Sequence, residues 1–495
     1  MVAGLFCAWR TPLSGTHMLD QLFARKTDFS DADASGGPCL KRTLGPWGLT
    51  ALGIGAVIGG GIFVITGQAA AEHAGPAIIL AFVIAAICCS FTALCYAEFA
   101  TLIPMSGSSY SYAYATLGEL VAWFIGWNMV LEYGVSASAV AVSWTGYFTS
   151  LLDHFGIHLP PALTNAPLAF MDNHLVATGA LFNLPAVVIV LALTWLCYVG
   201  IRESSGANLF MVIFKVALIL IVIVAGWRYV NPDLWHPFIP PSEGPDKYGW
   251  SGVLRGAAMV FFAYIGFEAT STAAQEAKNP QRDLPIGTLA SLAICTVLYI
   301  GMAAVLTGLL RFDQLGTSEP VVTAVRAHAG LGWLRVVVEI GALIGLSSVI
   351  LVMVIAQPRI FMIMGRDGLL PPVFAKIHPK YCTPHINTVI TGIGIALLAA
   401  VFPLDVLGDL VSMGTLIAFC AVCAGVWILR RTRPDLPRTF RVPWAPVICF
   451  CGIASCLVLL STMSWYNWTL LVVWTVIGLA IYFGYGHRHS RLRRG

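Results

Sequence analysis

The sequence predicts an all-α polytopic membrane protein with twelve transmembrane helices. Three observations carry this reading. Of the 495 residues, 58% are hydrophobic and only 11% charged; mean hydropathy is +0.81; and apolar runs recur at the length of about 20 residues that a helix needs to cross a hydrocarbon layer about 30 Å thick. Soluble domains carry about 25% charged residues, so a water-soluble globular protein is excluded. The runs leave no room for a soluble domain of ordinary size.

Apolar stretches bounded by charge, proline or glycine clusters place the spans at 47–72, 76–101, 119–149, 181–201, 205–229, 250–276, 285–310, 331–364, 385–402, 405–430, 443–463 and 467–486. The third and eighth exceed what a bilayer needs and are expected to tilt or project beyond it. The ninth is the shortest.

Lysine and arginine fix the orientation. An even number of spans puts both ends on one side, and that side receives 21 of the basic residues against 6 on the other. The positive-inside rule therefore places both termini in the cytoplasm. Residues 1–45 read as a cytoplasmic tail without a signal peptide, because Val2 to Trp9 is short, lacks a preceding basic region and is followed by a polar stretch. Met18 opens a segment that would serve equally as a start, and the sequence leaves residues 1–17 open.

Composition also narrows the chemistry. The net charge of +4 is distributed by membrane side rather than gathered into a patch, which argues against a nucleic-acid partner. The cysteines are scattered through apolar runs. Cys420 and Cys423 form a CxxC inside a hydrophobic helix with no second pair, so they read as packing residues and not as a metal or redox site. No histidine has a metalloenzyme spacing, and no nucleophile–base pair suggests an enzyme. Neither a metal nor a cofactor is expected. The segment Arg359 to Pro372 reads as a cytoplasmic gate or anchor, and Asn467-Trp468-Thr469 is a glycosylation sequon too close to a span for use.

Two spans carry interruptions. In span 1, Gly59-Gly60-Gly61 falls mid-membrane, where each glycine costs a continuous helix about 1 kcal/mol relative to alanine. Close helix packing is the plainer explanation of such glycines. Span 6 weakens it, because Phe261-Phe262-Ala263-Tyr264-Ile265-Gly266-Phe267-Glu268 again breaks an apolar run, five spans later. Paired interruptions at corresponding positions of two halves point to a transporter's central site. Unwinding exposes N–H groups at one half-helix and C=O groups at the other, an anion site beside a cation site. That pair suits a zwitterion such as an α-amino acid.

The segments RTLGPWGLTALGIGAVIGGGIFVITG, LEYGVSASAVAVSWTGYF, FFAYIGFEATST and AQPRIFMIMGRDGLLPPVFAKIHP closely resemble the amino acid-polyamine-organocation superfamily, and most of all bacterial members of its cationic amino acid transporter family. The resemblance runs from about residue 41 to 486. It implies a five-plus-five inverted repeat with discontinuous helices 1 and 6: a first repeat over 46–230, a second over 250–430, two further helices over 443–486, and cytoplasmic tails at 1–45 and 487–495. It also implies residence in the bacterial inner membrane and transport of L-amino acids; a small accessory membrane subunit is left open. By the same resemblance, the substrate carboxylate sits on N–H groups around Gly59, Gly60 and Gly61, and its amino group on carbonyls near Val57, Phe262, Ala263 and Ile265. The family usually has Ser or Thr where this chain has Gly60, and Asp where it has Glu268.

Charges inside the spans complete the candidate set. Lys215 lies about ten residues, or about 15 Å of helix, from the inner end of span 5, too deep to snorkel. It must be paired, solvated or deprotonated. It reads either as a lysine locked to carbonyls or as a proton-titrating group; the resemblance supports the second, a built-in replacement for a sodium ion between spans 1 and 8. Glu132 in span 3 and Glu268 in span 6 are acids expected to face the central cavity, as acceptors for a cationic side chain, proton relays or helix–helix partners. Glu98 and Glu339 read as structural. The expected activity is proton-coupled uptake of an amino acid, with obligate exchange and amino acid sensing as competing readings. Gly60, Val57, Phe262 and Ile265 favour a compact neutral substrate such as alanine over a cationic one.

Overall fold

The computed structural model describes residues 24, 44–102, 108–171, 174–200, 205–274, 277–381, 383–436 and 438–494. Apart from residues 24, 44 and 45, the expected N-terminal tail lies outside the described residues, as does Arg202 of the orientation count. The described chain is almost wholly helical. Seven helices are long and apolar enough to cross a membrane, and four shorter apolar helices, Pro46–Val57, Leu184–Val199, His385–Val401 and Ala445–Ser461, stand with them.

The first helix, α1 (Pro46–Val57), starts with proline just inside its N-terminus, where the missing N–H costs nothing. It stops at Ile58, whose backbone is extended (φ −74°, ψ 101°). Helical structure resumes as a π-helical turn, Gly61–Ile65, and continues through Thr66–Ala69 and a second π-helical turn, Ala70–Ala74. Then follow α2 (Ile78–Leu102), α3 (Ser108–Thr116) and α4 (Glu119–Met129). A π-helical turn, Val130–Val135, joins α4 to α5 (Ser136–His154), so the long third run is one helix with a bulge. The loop after it carries an antiparallel hairpin, Leu168–Met171 with His174–Ala177, Leu168 facing Ala177.

Helix α6 (Leu184–Val199) shows both end signals: the Asn183 side chain accepts from the N–H of Ala186 at 3.2 Å, and Gly200 closes it in the left-handed conformation (φ +81°). After α7 (Ser205–Trp227) comes α8 (Gly249–Val260), which tightens into a 3-10 turn, Phe261–Tyr264, and breaks at Ile265 (ψ 130°) and Gly266 (φ +121°). The remainder comprises α9 (Pro280–Leu309), α10 (Pro320–Arg326), α11 (Gly332–Arg366), α12 (His385–Val401), α13 (Leu404–Thr432), α14 (Ala445–Ser461) and α15 (Trp465–Ile481). The 35-residue α11 is the longest of them.

Helix α9 packs against both α1 and α2, α11 against α5, and α13 against α14. Small residues let backbones approach, as in membranes generally: a Cβ on Gly341 would lie 2.4 Å from Leu218, and one on Gly392 2.3 Å from Thr194. Large apolar side chains also cover the outside, Phe210, Val224, Val297 and Leu397 among them, while Trp47, Trp444 and Trp465 are exposed at helix starts. Apolar flanks with tryptophan at the ends are what a lipid environment selects.

Buried ionic groups join the elements. Glu98 on α2 accepts from Arg430 Nε (3.0 Å), Arg430 Nη2 (2.5 Å), Arg438 Nε (3.2 Å) and the N–H of Val442 (2.8 Å). Glu339 on α11 accepts from Ser150 (2.7 Å) and from Arg335 (3.0 Å). Arg255 of α8 holds Asp409 of α13, which also accepts from Asn467 of α15. The asparagine of the sequon is thus buried.

Candidate functional site

The two interruptions meet. A Cβ on Gly61 would fall 2.3 Å from the Cα of Ala263, and a Cβ on Gly266 would fall 2.8 Å from the carbonyl carbon of Ala56. Each break therefore seats a glycine on the backbone of the other, a closeness no side chain permits. Tyr299 of α9 ties them again: its hydroxyl lies 3.0 Å from the carbonyl oxygen of Val57 and 2.9 Å from that of Ala263, its proton shared between the two.

Where α1 stops, backbone groups come free. Among the described residues no carbonyl accepts from the N–H of Gly59 or Gly60, and both residues are buried. A buried unpaired N–H is costly, so this turn holds two donors in want of an acceptor, which an anion supplies. The space around the three glycines differs. Gly59 faces Val349 of α11 (3.2 Å to its Cγ2 from a would-be Cβ), Gly60 faces Ser143 of α5 (3.0 Å to Oγ), and Gly61 faces Ala263.

On the carbonyl side the chain is partly engaged already. Lys215 of α7 is fully buried and donates from Nζ to the carbonyls of Gly55 (2.9 Å) and Ile58 (3.1 Å), the last turn of α1. Its stem passes Gly345 of α11, whose Cβ would stand 3.6 Å from Lys215 Cγ, so the lysine lies between α1 and α11. In the second break Phe262 accepts from the N–H of Ile265 at 3.3 Å. The carbonyls of Val57 and Ala263, expected from the resemblance to take an amino group, already receive the Tyr299 hydroxyl; each oxygen keeps a second lone pair. The side chains of Val57, Phe262 and Ile265 are buried and apolar.

The two acids differ in their partners. Glu268 folds back onto its own break, one oxygen accepting from the N–H of Gly266 at 3.0 Å. Its other oxygen, and both oxygens of Glu132, have no hydrogen-bond partner among the described residues. Glu132 sits in the π-helical turn Val130–Val135, a distortion frequent at functional sites.

The structure thus brings Val57, Gly59, Gly60, Gly61, Phe262, Ala263, Ile265 and Lys215 into one buried region around two helix breaks. Sequence reasoning missed Tyr299, Ser143 and Tyr147, the last of which donates to the carbonyl of Phe63 at 2.7 Å. A hydroxyl in an apolar helix carries no signal of what it faces, and this chain has many.

Broken helices that meet inside an apolar bundle, with free backbone donors and a buried lysine, are an arrangement suited to a membrane carrier. Comparison with known proteins specifies it. A family described as "Amino acid permease" matches residues 44–485, and the chain belongs to that family. It is 47% identical to the branched-chain amino acid permease BcaP of Bacillus subtilis (strain 168) over 95% of this chain and 99% of that one. It is 44% identical to the methylthioribose transporter of the same organism, over 96% and 100%, and 37% identical to the vacuolar cationic amino acid transporter 4 of Arabidopsis thaliana, over 80% and 64%. The protein is a multi-pass membrane transporter of the amino acid permease family and not an enzyme.

Proposed function

We propose that the protein takes up neutral aliphatic L-amino acids by proton-coupled symport, through alternating access around the site where the two breaks meet. The observation that carries this is the meeting itself: unpaired N–H groups at Gly59 and Gly60 on the same pair of breaks as carbonyls at Val57 and Ala263, a donor cluster and an acceptor cluster for the two ends of a zwitterion. Glu132 and Glu268 stand as the polar members of the site. The architecture proposed with it is twelve spans, a five-plus-five inverted repeat over 46–230 and 250–430 followed by two helices over 443–486, in the cell membrane with both termini cytoplasmic.

The apolar side chains of Val57, Phe262 and Ile265 favour neutral substrates, from alanine to the branched-chain amino acids in the names of two relatives. Lys215 is the proposed coupling group. When protonated, its ammonium holds the last turn of α1 beside α11; when deprotonated, that tie weakens and the helices are free to part. The test is uptake into proteoliposomes. Lys215→Met is expected to abolish accumulation driven by a proton gradient, while wild-type uptake needs no sodium and rises when the outside is acidified. Accumulation by the mutant under the same gradient would make Lys215 purely structural. Net uptake into empty vesicles separates symport from obligate exchange and from sensing.

A second reading comes from the methylthioribose transporter. Methylthioribose has neither carboxylate nor ammonium, so it would leave both backbone clusters of the breaks unused. Competition of labelled alanine and leucine uptake by methylthioribose and by arginine decides among these substrates.

A further inference from the structure

The turn at Gly59 and Gly60 offers backbone donors but no side-chain hydroxyl of its own. One is nevertheless present. Ser143 of α5, itself buried, places its Oγ 3.0 Å from the point where a Cβ of Gly60 would stand, and its Cβ 3.5 Å from that point. Of the walls facing the three glycines, the Val349 side chain and Ala263 are apolar or backbone, so Gly60 alone faces a polar side chain.

Three other buried hydroxyls along the same helix are used to hold the fold. Ser138 donates to the carbonyl of Ile395, Thr145 to Asn183, and Ser150 to Glu339, each in a different element. Ser143, by contrast, has among the described residues a single partner, the carbonyl of Ala139 one turn back at 3.1 Å. That bond is local and exchangeable. It leaves the hydroxyl beside two unpaired backbone donors with no structural duty that another element depends on.

Resting on the transport reading above, we propose that Ser143 supplies the side-chain hydroxyl of the substrate-carboxylate subsite, delivered from α5 across the bare face of Gly60. On binding, the Ser143 proton turns from the Ala139 carbonyl to a carboxylate oxygen that also accepts from the N–H groups of Gly59 and Gly60. The carboxylate is then held from two elements at once, so occupancy draws α5 against the break. Glycine at 60 leaves room for this arrangement, since a side chain there would crowd the Ser143 hydroxyl.

Proteoliposome uptake of labelled L-leucine and L-alanine tests it, with KM and maximal rate measured separately. A hydrogen bond to a charged group is worth enough that its loss raises KM by about tenfold. Ser143→Ala is therefore expected to raise KM about tenfold with the maximal rate nearly unchanged. Gly60→Ser alone is expected to impair uptake by crowding Ser143. The double variant Gly60→Ser/Ser143→Ala, which moves the hydroxyl from α5 to the break, is expected to recover uptake to near the wild-type KM. A wild-type KM in Ser143→Ala, or a double variant no better than Gly60→Ser alone, overturns the proposal. Should the double variant fail to insert, the KM of Ser143→Ala decides by itself. If the wild type transports neither amino acid, the transport reading fails instead, an outcome distinct from wild-type uptake that is indifferent to Ser143.

Discussion

Single residues set the contact between the two breaks, and glycine is the residue on which it depends. At Gly61 the obstacle to a side chain is the Ala263 backbone, 2.3 Å from a would-be Cβ, and backbone in a helix break has nowhere to retreat. At Gly266 the φ of +121° adds a conformational cost to a similar collision with Ala56. Overpacking a filled core costs about 1–3 kcal/mol, so Gly61→Ala is expected to cut uptake at least tenfold at matched expression. Gly394→Ala, where nothing lies within 4 Å, should be silent. Equal uptake by the two variants would show that the breaks do not need to touch. The glycines are legible in the sequence because a second interruption, at Gly266, answers them five spans later. Tyr299 and Ser143 are not, because their meaning depends on which carbonyl or glycine another helix presents.

At the scale of elements, helices are tied to one another by ionic groups near their ends. Glu98 illustrates the logic: one carboxylate satisfies two arginines and the N–H of Val442, joining α2 to the end of α13 and to the start of α14. The sequence identified Glu98 as structural but could not name its partners, which lie more than 330 positions away. The same limit applied to the cysteines. Read one by one they were packing residues; folded, Cys88 meets Cys456 at 3.6 Å and Cys95 meets Cys449 at 3.9 Å, lining the seam between α2 and α14. The π-helical turn around Glu132 was equally hidden, since an extra residue within a helical turn leaves no compositional mark. Removing one partner of a buried ion pair strands the other and costs about 3 kcal/mol or more. Glu98→Ala is accordingly expected to lower the melting temperature in detergent by several degrees. Glu243→Ala, which removes an exposed pair with Lys247, should leave it unchanged. Melting of Glu98→Ala at the wild-type temperature would remove the clamp from the account of stability.

For the whole molecule, hydropathy and charge predict the number and direction of crossings, while packing decides where each helix stops. Long apolar runs were legible at once, yet α1, with only 12 residues, is too short to be recognised as a span by length. It reads as one only together with the helical turns after Gly60, because an interrupted helix divides one crossing between two halves. The expected direction rests on counts alone: 21 basic residues against 6, an asymmetry from which the positive-inside rule predicts both termini in the cytoplasm. An odd number of crossings would put the termini on opposite sides, so topology tests the span count as well as the orientation. Alkaline phosphatase, active only outside the cytoplasm, is expected to be inactive when fused after Gly495 and active when fused after Asn165, in the loop between α5 and α6. A fluorescent protein that matures only in the cytoplasm should give the reverse pattern. Active phosphatase at Gly495 would contradict either the even count or the charge rule. A further phosphatase fusion at Arg10 then separates the two: activity there too means the whole protein is inverted, and inactivity means that one crossing has been miscounted.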